Sequence, residues 1–374
     1  MNQKIKPIIK WTGGKYREFA LFENYIPTFE RYIEPFFGGG GVFFALQPKT
    51  PVVINDKSKD LIRFYKQIGE NDFKNALYQY ATAWDEITQL ANQFWEKSGV
   101  VFSDFVQQQI KLETLADAIS TELPKLVTQF PVLNNKQFTI DPAMFVSYLK
   151  NSILDKSVRI KRISNREKRT FNNLQLKDHF ETGIKSGMYL YFRMLMNKNA
   201  EKAIFSEAKA AANWYFVREF CYASMFRFNA KGEFNIPYGG IAYNKKNFRL
   251  KADLIFAPAT RILFENAEIH HQDFEALLSG IQLKSSDFIF LDPPYDSEFS
   301  EYDQNAFTKD DQKRLANFLI SSVAKWMVVI KETPFIREIY THPQVKIVTF
   351  GKNYTYNVRG RNDRKVTHLI ITNY

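Results

Sequence analysis

The chain has 374 residues, of which 45% are hydrophobic, and a single cysteine, Cys221. This suits one large domain or two smaller ones with a self-sufficient core, and it excludes a disordered chain and any intramolecular disulfide. A net charge of +11 suits polyanionic partners, with a merely basic surface as the equal alternative, while the lack of a signal-like leader or of about 18 consecutive apolar residues leads to the expectation of a cytoplasmic protein.

The N-terminal stretch Lys10-Trp11-Thr12-Gly13-Gly14-Lys15 lacks the spacing and the Ser/Thr of a phosphate loop. A Trp and a Lys beside two glycines could cover a bound cofactor, although a Trp alone is more often core. Residues 31–37 (RYIEPFF) form a short apolar run that predicts a strand. It ends in Glu34-Pro35-Phe36-Phe37-Gly38-Gly39-Gly40-Gly41, after which Val42, Phe43, Phe44 and Leu46 predict a helix. Glycines at the C-terminal end of a strand let backbone approach a ligand, or simply make a tight turn. Residues 51–55 predict the next strand and 60–68 a helix. Asp56 falls at that strand's end, 18 residues after Gly38. A carboxylate there can accept both hydroxyls of a ribose, cap the following helix, or do both.

Residues 71–212 are helical in flavour with few strand signals, which predicts a long insertion into an α/β domain. Within it, residues 150–169 carry eight basic side chains, among them Arg159, Lys161, Arg162, Lys168 and Arg169. Such a run is either a phosphate-contacting face or a solvated one. The chain then returns to strand-like runs at 287–291, 326–330, 345–350 and 367–371, with a helix expected over 309–320. Directly after the first of these strands stands Asp292-Pro293-Pro294-Tyr295. A rigid turn of this kind sets a carboxylate and a backbone carbonyl side by side at the sheet edge. Paired acceptors suit the amine of a planar ring, and a Tyr suits stacking on it. The plain alternative is an ordinary strand-ending turn.

Taken together, KWTGGK, EPFFGGGGVFF, an acid after the next strand and LDPPY resemble the Dam-type DNA adenine-N6 methyltransferases of the alpha group. Phe226-Arg227-Phe228-Asn229 with GEFNIPYG, NAFTKDDQKRLANFL after the DPPY turn, and Asn357-Val358-Arg359 with Arg364-Lys365-Val366 extend the likeness to residues 10–68 and about 213–374. The chain departs from the family in its long 71–212 segment, in Ser224-Met225 where an Asn-Gly pair is usual, and in KETPF where Ser-Asn-His is usual.

The resemblance implies a Rossmann-like α/β sheet that binds S-adenosyl-L-methionine, interrupted by a mainly helical target-recognition insertion. Residues 1–70 and 255–374 are expected to form the discontinuous catalytic domain, and 71–254 the insertion. It implies transfer of a methyl group to the exocyclic amine of an adenine flipped out of duplex DNA, in a restriction-modification or Dam-like role, without a metal. The catalytic residues are then Asp292, Pro293, Pro294 and Tyr295. Trp11, Lys15, Glu34, Phe36, Gly38, Gly40, Asp56, Asp273, Phe274 and Asp292 are expected at the cofactor. Arg159, Lys161, Arg162, Arg227, Asn229, Arg249, Arg359, Arg361 and Lys365 are expected at DNA. A monomer is expected, with a cognate restriction endonuclease as a candidate partner. A cytosine-C5 methyltransferase fits poorly, because it needs a cysteine nucleophile and Cys221 lies in a predicted helix; a zinc deaminase lacks its cysteine ligands. A methyltransferase acting on RNA or on protein glutamine, and a catalytically silent DNA-binding relative, are the alternatives left.

Overall fold

A computed structural model describes residues 5–294, 307–353 and 365–374, with 352, 353, 365 and 366 described by backbone alone. The chain divides into two compact units, Met1–Ile68 with Ala257–Tyr374, and Gly69–Phe256.

In the first unit the elements run β1 (Arg31–Glu34), α1 (Gly41–Leu46), β2 (Val52–Asn55) and α2 (Lys59–Lys66) before the chain enters the second unit. The second unit holds α3 (Asn71–Val106), α4 (Leu112–Val127), α5 (Lys136–Thr139), α6 (Pro142–Glu167), α7 (Asn173–Lys202), α8 (Glu207–Phe220), α9 (Ile241–Asn244) and α10 (Phe248–Phe256). The first unit resumes with α11 (Pro258–Glu265), β3 (Ala267–His270), α12 (Phe274–Gly280), β4 (Asp287–Leu291), α13 (Lys309–Ser321), β5 (Lys325–Lys331), α14 (Pro334–Ile339), β6 (Lys346–Asn353) and β7 (Lys365–Thr372).

The seven strands form one sheet in the order β3-β2-β1-β4-β5-β7-β6. The first five are parallel, and β7 runs antiparallel to both β5 and β6. Strands covered on both faces need apolar side chains at every position, which is why 52–54, 288–291 and 326–330 read as continuous hydrophobic runs. One face is mainly aliphatic. Ile33, Val53, Ile289, Val328 and Ile371 pack there against Leu277 of α12, Leu315 and Leu319 of α13 and Ile336 of α14. The other face is aromatic: Phe290 stacks on Phe22 with centroids 5.8 Å apart, and Phe288 on Phe29 at 5.6 Å. This is a doubly wound sheet, with the strand order reversing between β1 and β4. Ligands of such sheets bind beyond the strands' carboxyl ends at that reversal. Glu34, Asp56 and Asp292 all lie at those ends.

The second unit is helical. Its core centres on Tyr80 of α3, whose ring lies 4.9 Å from those of Phe138 and Phe192 and 5.1 Å from that of Phe216. The helix starts are written locally. Asp141 caps α6 by accepting from the Met144 N–H, with Pro142 at the first position. Asn172 and Gln175 form a reciprocal capping box on α7. Among the described residues, no helix is long and apolar enough to cross a membrane.

Candidate active site

The site is built from the ends of β1, β2 and β4. After β1, the Phe37 N–H donates to the Asn55 carbonyl at 2.9 Å, so the glycine turn is stitched to β2. Asn55 itself is 1% exposed. Its amide donates to the carbonyls of Pro35 and Gln272 and accepts from the Gln272 N–H, each at 3.0 Å, which ties the ends of three strands together. Asp56 follows. One carboxylate oxygen accepts from the Gly38 N–H and the other from the Ser58 N–H, both at 2.8 Å. These two bonds orient the carboxylate at the mouth of the glycine turn.

The glycines have a partner that the sequence did not announce. A Cβ at Gly38 or Gly39 would come 2.9 or 2.8 Å from side-chain carbons of Trp11, and one at Gly41 would come 2.8 Å from the Lys15 backbone nitrogen. The segment containing Trp11 to Tyr16 therefore lies directly on the turn, and only a chain without Cβ atoms admits it. Gly40 adopts φ +65°, the left-handed region that favours glycine.

That close approach delivers Lys15 to β4. The Lys15 ammonium is 2.5 Å from Asp292 Oδ1 and 3.1 Å from the Gly13 carbonyl. Lys15 is 1% exposed and Asp292 18%. Pro293 is buried and Pro294 exposed. Glu34 lies at the end of β1, 2% exposed, and accepts from the Tyr32 hydroxyl at 2.8 Å. Burial raises its carboxyl well above the usual range; the Asp292 and Asp56 charges push the same way, while the Tyr32 bond opposes them.

Asp273 and Phe274 open α12 beyond β3. Asp273 caps the helix through the Glu275 N–H at 3.0 Å and pairs with Arg314 of α13 at 3.3 Å. Arg314 also bonds Glu275 and Asp311, the latter at 2.7 Å. The Phe274 ring is 5.5 Å from Phe36, and Phe307 is 5.4 Å from Phe36; Phe274 is buried, while Phe36 and Phe307 are partly exposed. Tyr295, Arg359 and Arg361 lie outside the described residues, as do Asn357, Val358 and Arg364. Lys365 is described only as backbone at the start of β7.

In the helical unit, Arg159 and Arg162 are exposed on α6, whereas Lys161 is half-buried with its ammonium 4.2 Å from the Phe105 ring centre. Residues 226–236 form a small hairpin through the Phe228–Phe234 bridge. Arg227 is exposed, with Nε 3.4 Å from Asn235 Oδ1. The Asn229 carboxamide is used inside the turn: Oδ1 accepts from the Lys231 and Glu233 N–H groups, and Nδ2 donates to Glu233 Oε2 at 2.8 Å. Arg249 reaches Asp85 of α3 at 2.8 Å.

Two groups of residues escaped the sequence reading. Asn55 and Gln312 are buried polar side chains at the sheet edge. Tyr189, Arg193 and Asn197 stand four apart on α7 and hold the hairpin by its backbone. The first two donate to the Ile236 carbonyl at 2.7 and 2.8 Å, and Asn197 exchanges two bonds with Phe234. Their i, i+4 polar spacing on α7 was the available signal.

Comparison with known proteins agrees with this geometry. The chain matches the family "D12 class N6 adenine-specific DNA methyltransferase" over residues 11–176 and 143–356. It is 26% identical to Type II methyltransferase M.CviBI of Paramecium bursaria Chlorella virus NC1A, over 99% of this chain and 100% of that protein. It is 25% identical to Type II methyltransferase M.MjaIII of Methanocaldococcus jannaschii over the same shares, and 26% identical to a DNA adenine methylase of Serratia marcescens over 98% of each. A doubly wound sheet, an acid-ended β2, a DPP turn held by a buried lysine and matches spanning the whole chain converge: this protein belongs to the D12 class of N6 adenine-specific DNA methyltransferases.

Proposed function

We propose that the methyl donor is S-adenosyl-L-methionine and that the acceptor is an adenine flipped out of duplex DNA and held at Asp292 to Tyr295. The observation that carries this reading is the Asp292 carboxylate, fixed at the C-terminal edge of β4 by the buried Lys15 ammonium. The exocyclic amine is a poor nucleophile because its lone pair is delocalised into the ring. The Asp292 carboxylate and the Pro293 carbonyl accept its N–H groups, which turns the lone pair outward and supports the positive charge that grows on nitrogen. Orientation supplies most of the remaining acceleration. Tyr295 is assigned to stack on the flipped ring.

The residues at the sheet edge fit the proposed cofactor. Asp56, oriented at the end of β2, is assigned to the ribose hydroxyls, and the partly exposed rings of Phe36 and Phe307, backed by the buried Phe274, to a purine. Trp11, Lys15 and the turn from Phe36 to Gly40 line the methionine side, with Glu34 supporting that turn from below. When bound, the cofactor supplies an electrophilic methyl group on sulfur. Asp273 holds the start of α12 beside the purine shelf.

Residues 1–70 and 255–374 carry the chemistry in this reading, and 71–254 the target recognition. Arg159 and Arg162 contact phosphates with help from Lys161, and Arg227 on the hairpin reads DNA while Asn229 keeps the hairpin turn in shape. Arg249, Arg359, Arg361 and Lys365 are further phosphate candidates. The relatives named as type II methyltransferases support a restriction-modification role with a cognate endonuclease; the enzyme acts as a monomer in the cytoplasm. Transfer of tritiated methyl from S-adenosyl-L-methionine to duplex DNA, RNA and bulk protein, followed by nucleoside analysis, tests this reading. N6-methyladenine in duplex DNA is the expected product, and label confined to RNA or to protein overturns the assignment.

A further inference from the structure

Gln312 is completely buried in the first turns of α13, yet only half of its carboxamide is used. Nε2 donates to the Pro294 carbonyl at 2.9 Å, while Oε1 is buried with no hydrogen-bond partner among the described residues. A buried acceptor left unsatisfied costs at least about as much as a single neutral hydrogen bond returns. An apolar side chain of the same length would thus serve the core at least as well. A residue that violates polar satisfaction where the fold does not require it points to a constraint from function.

The position of Gln312 is set firmly. Thr308 and Asp311 form a capping box that fixes where α13 begins. Arg314, one residue pair further on, binds Asp311 and also Asp273 and Glu275 at the start of α12. Two helix N-termini are therefore locked together, and Gln312 projects from the locked turn onto the Asp292–Pro294 turn. Pro294 has no N–H, so its carbonyl is the one backbone hydrogen-bonding group through which that residue can be held.

We propose that Gln312 is a positioning residue for methyl transfer: it fixes the Pro294 carbonyl, and through it the Pro293–Pro294 peptides, in the orientation the target amine requires. This rests on the reading of Asp292 and Pro293 as the amine's acceptors. Gln312→Met keeps the length and removes the donor. Gln312→His restores an N–H donor. The variants are compared in full-length protein by thermal denaturation, by calorimetric binding of S-adenosyl-L-methionine, and by single-turnover methylation of bulk DNA from a host lacking adenine methylation. Gln312→Met should be as stable as the parent or more so, bind the cofactor equally well, and transfer methyl about 10–100-fold more slowly, as misplaced reacting groups do. Gln312→His should recover part of the rate. An unchanged rate in Gln312→Met overturns the proposal, and so does a loss matched by weaker cofactor binding and lower stability. An Asp292→Asn control run alongside separates the two ideas. If that variant turns over normally, the reading of the turn fails; if it is inactive while Gln312→Met is normal, only the role of Gln312 fails.

Discussion

Asp292→Asn is the substitution whose outcome the structure specifies most fully, because it acts on stability and chemistry by separate routes. The Lys15 ammonium is 1% exposed and bonds Asp292 Oδ1 at 2.5 Å. Breaking a buried pair from one side strands the other charge and costs about 3–5 kcal/mol. Asn retains a carbonyl oxygen and position 292 is 18% exposed, so the lower end, about 3 kcal/mol, is expected. For a domain of roughly 150–250 residues that lowers the melting midpoint by about 6–12 °C. Turnover should fall by a further factor of about 10²–10³, the usual effect of removing one preorganised charge-stabilising group. The double variant Lys15→Met, Asp292→Asn removes both charges together. Its stability should return to within about 1 kcal/mol of the parent, since a buried pair contributes little net over apolar replacements. Its methyl transfer should remain as low as in the single variant. Thermal denaturation and single-turnover tritium transfer measure the two effects independently. A double variant that regains turnover along with stability would refute the reasoning, since Asp292 would then serve only to neutralise Lys15.

Asp56→Ala and Trp11→Ala should each weaken S-adenosyl-L-methionine binding by about tenfold or more while leaving DNA affinity within about twofold, as read by calorimetry with each ligand; normal cofactor binding in both would remove the glycine-turn region from the pocket. Neutralising Arg159, Lys161 and Arg162 together should weaken binding to every duplex sequence and flatten the salt dependence. Because Lys161 is partly committed to Phe105, the slope should change by about 1.8, the equivalent of two phosphates; an unchanged slope would make the α6 run a solvated face. His179 has its pKa lowered to about 4 by burial and by the nearby Lys156, with Arg169 and Arg159 adding to this and Asp178 opposing it. A histidine that stays neutral in the fold but protonates when unfolded loses stability as pH falls from about 6.5 towards 4. The ring is only half-buried, so about 1–2 kcal/mol should be lost across that window after allowance for solvent screening. His179→Phe should flatten denaturation curves between those pH values, and an unaltered pH profile would place the acid sensitivity elsewhere.

The sheet was readable in the sequence to the extent that each strand meets the same environment along its length. Residues 52–54, 288–291 and 326–330 lie between two layers, so burial on both faces imposed an unbroken apolar run. The helix starts were equally local, because Thr308, Asp141 and Asn172 cap turns within three residues of themselves. The acids at the strand ends were visible for a related reason: Asp56 and Asp292 each directly follow a buried apolar run. The antiparallel insertion of β7 between β5 and β6 was not visible, since apolar runs specify burial and not neighbours.

The partners of the site residues belong to the tertiary structure alone. Lys15 and Asp292 meet across 277 residues of chain, and no local pattern encodes a contact closed by the winding of a whole domain. The glycines of the turn read as room for a ligand until folding brought Trp11 and the Lys15 backbone onto them. Asn229 was expected at DNA from its place in the motif, but that its carboxamide also bonds within its own turn is visible only in the fold. Gln312 looked like any polar residue of an amphipathic helix until the fold enclosed it against Pro294. Residue type and spacing determined which elements form and which faces are buried. Which polar groups face one another was decided by the packing of those elements, where burial makes each pairing, or its absence, energetically consequential.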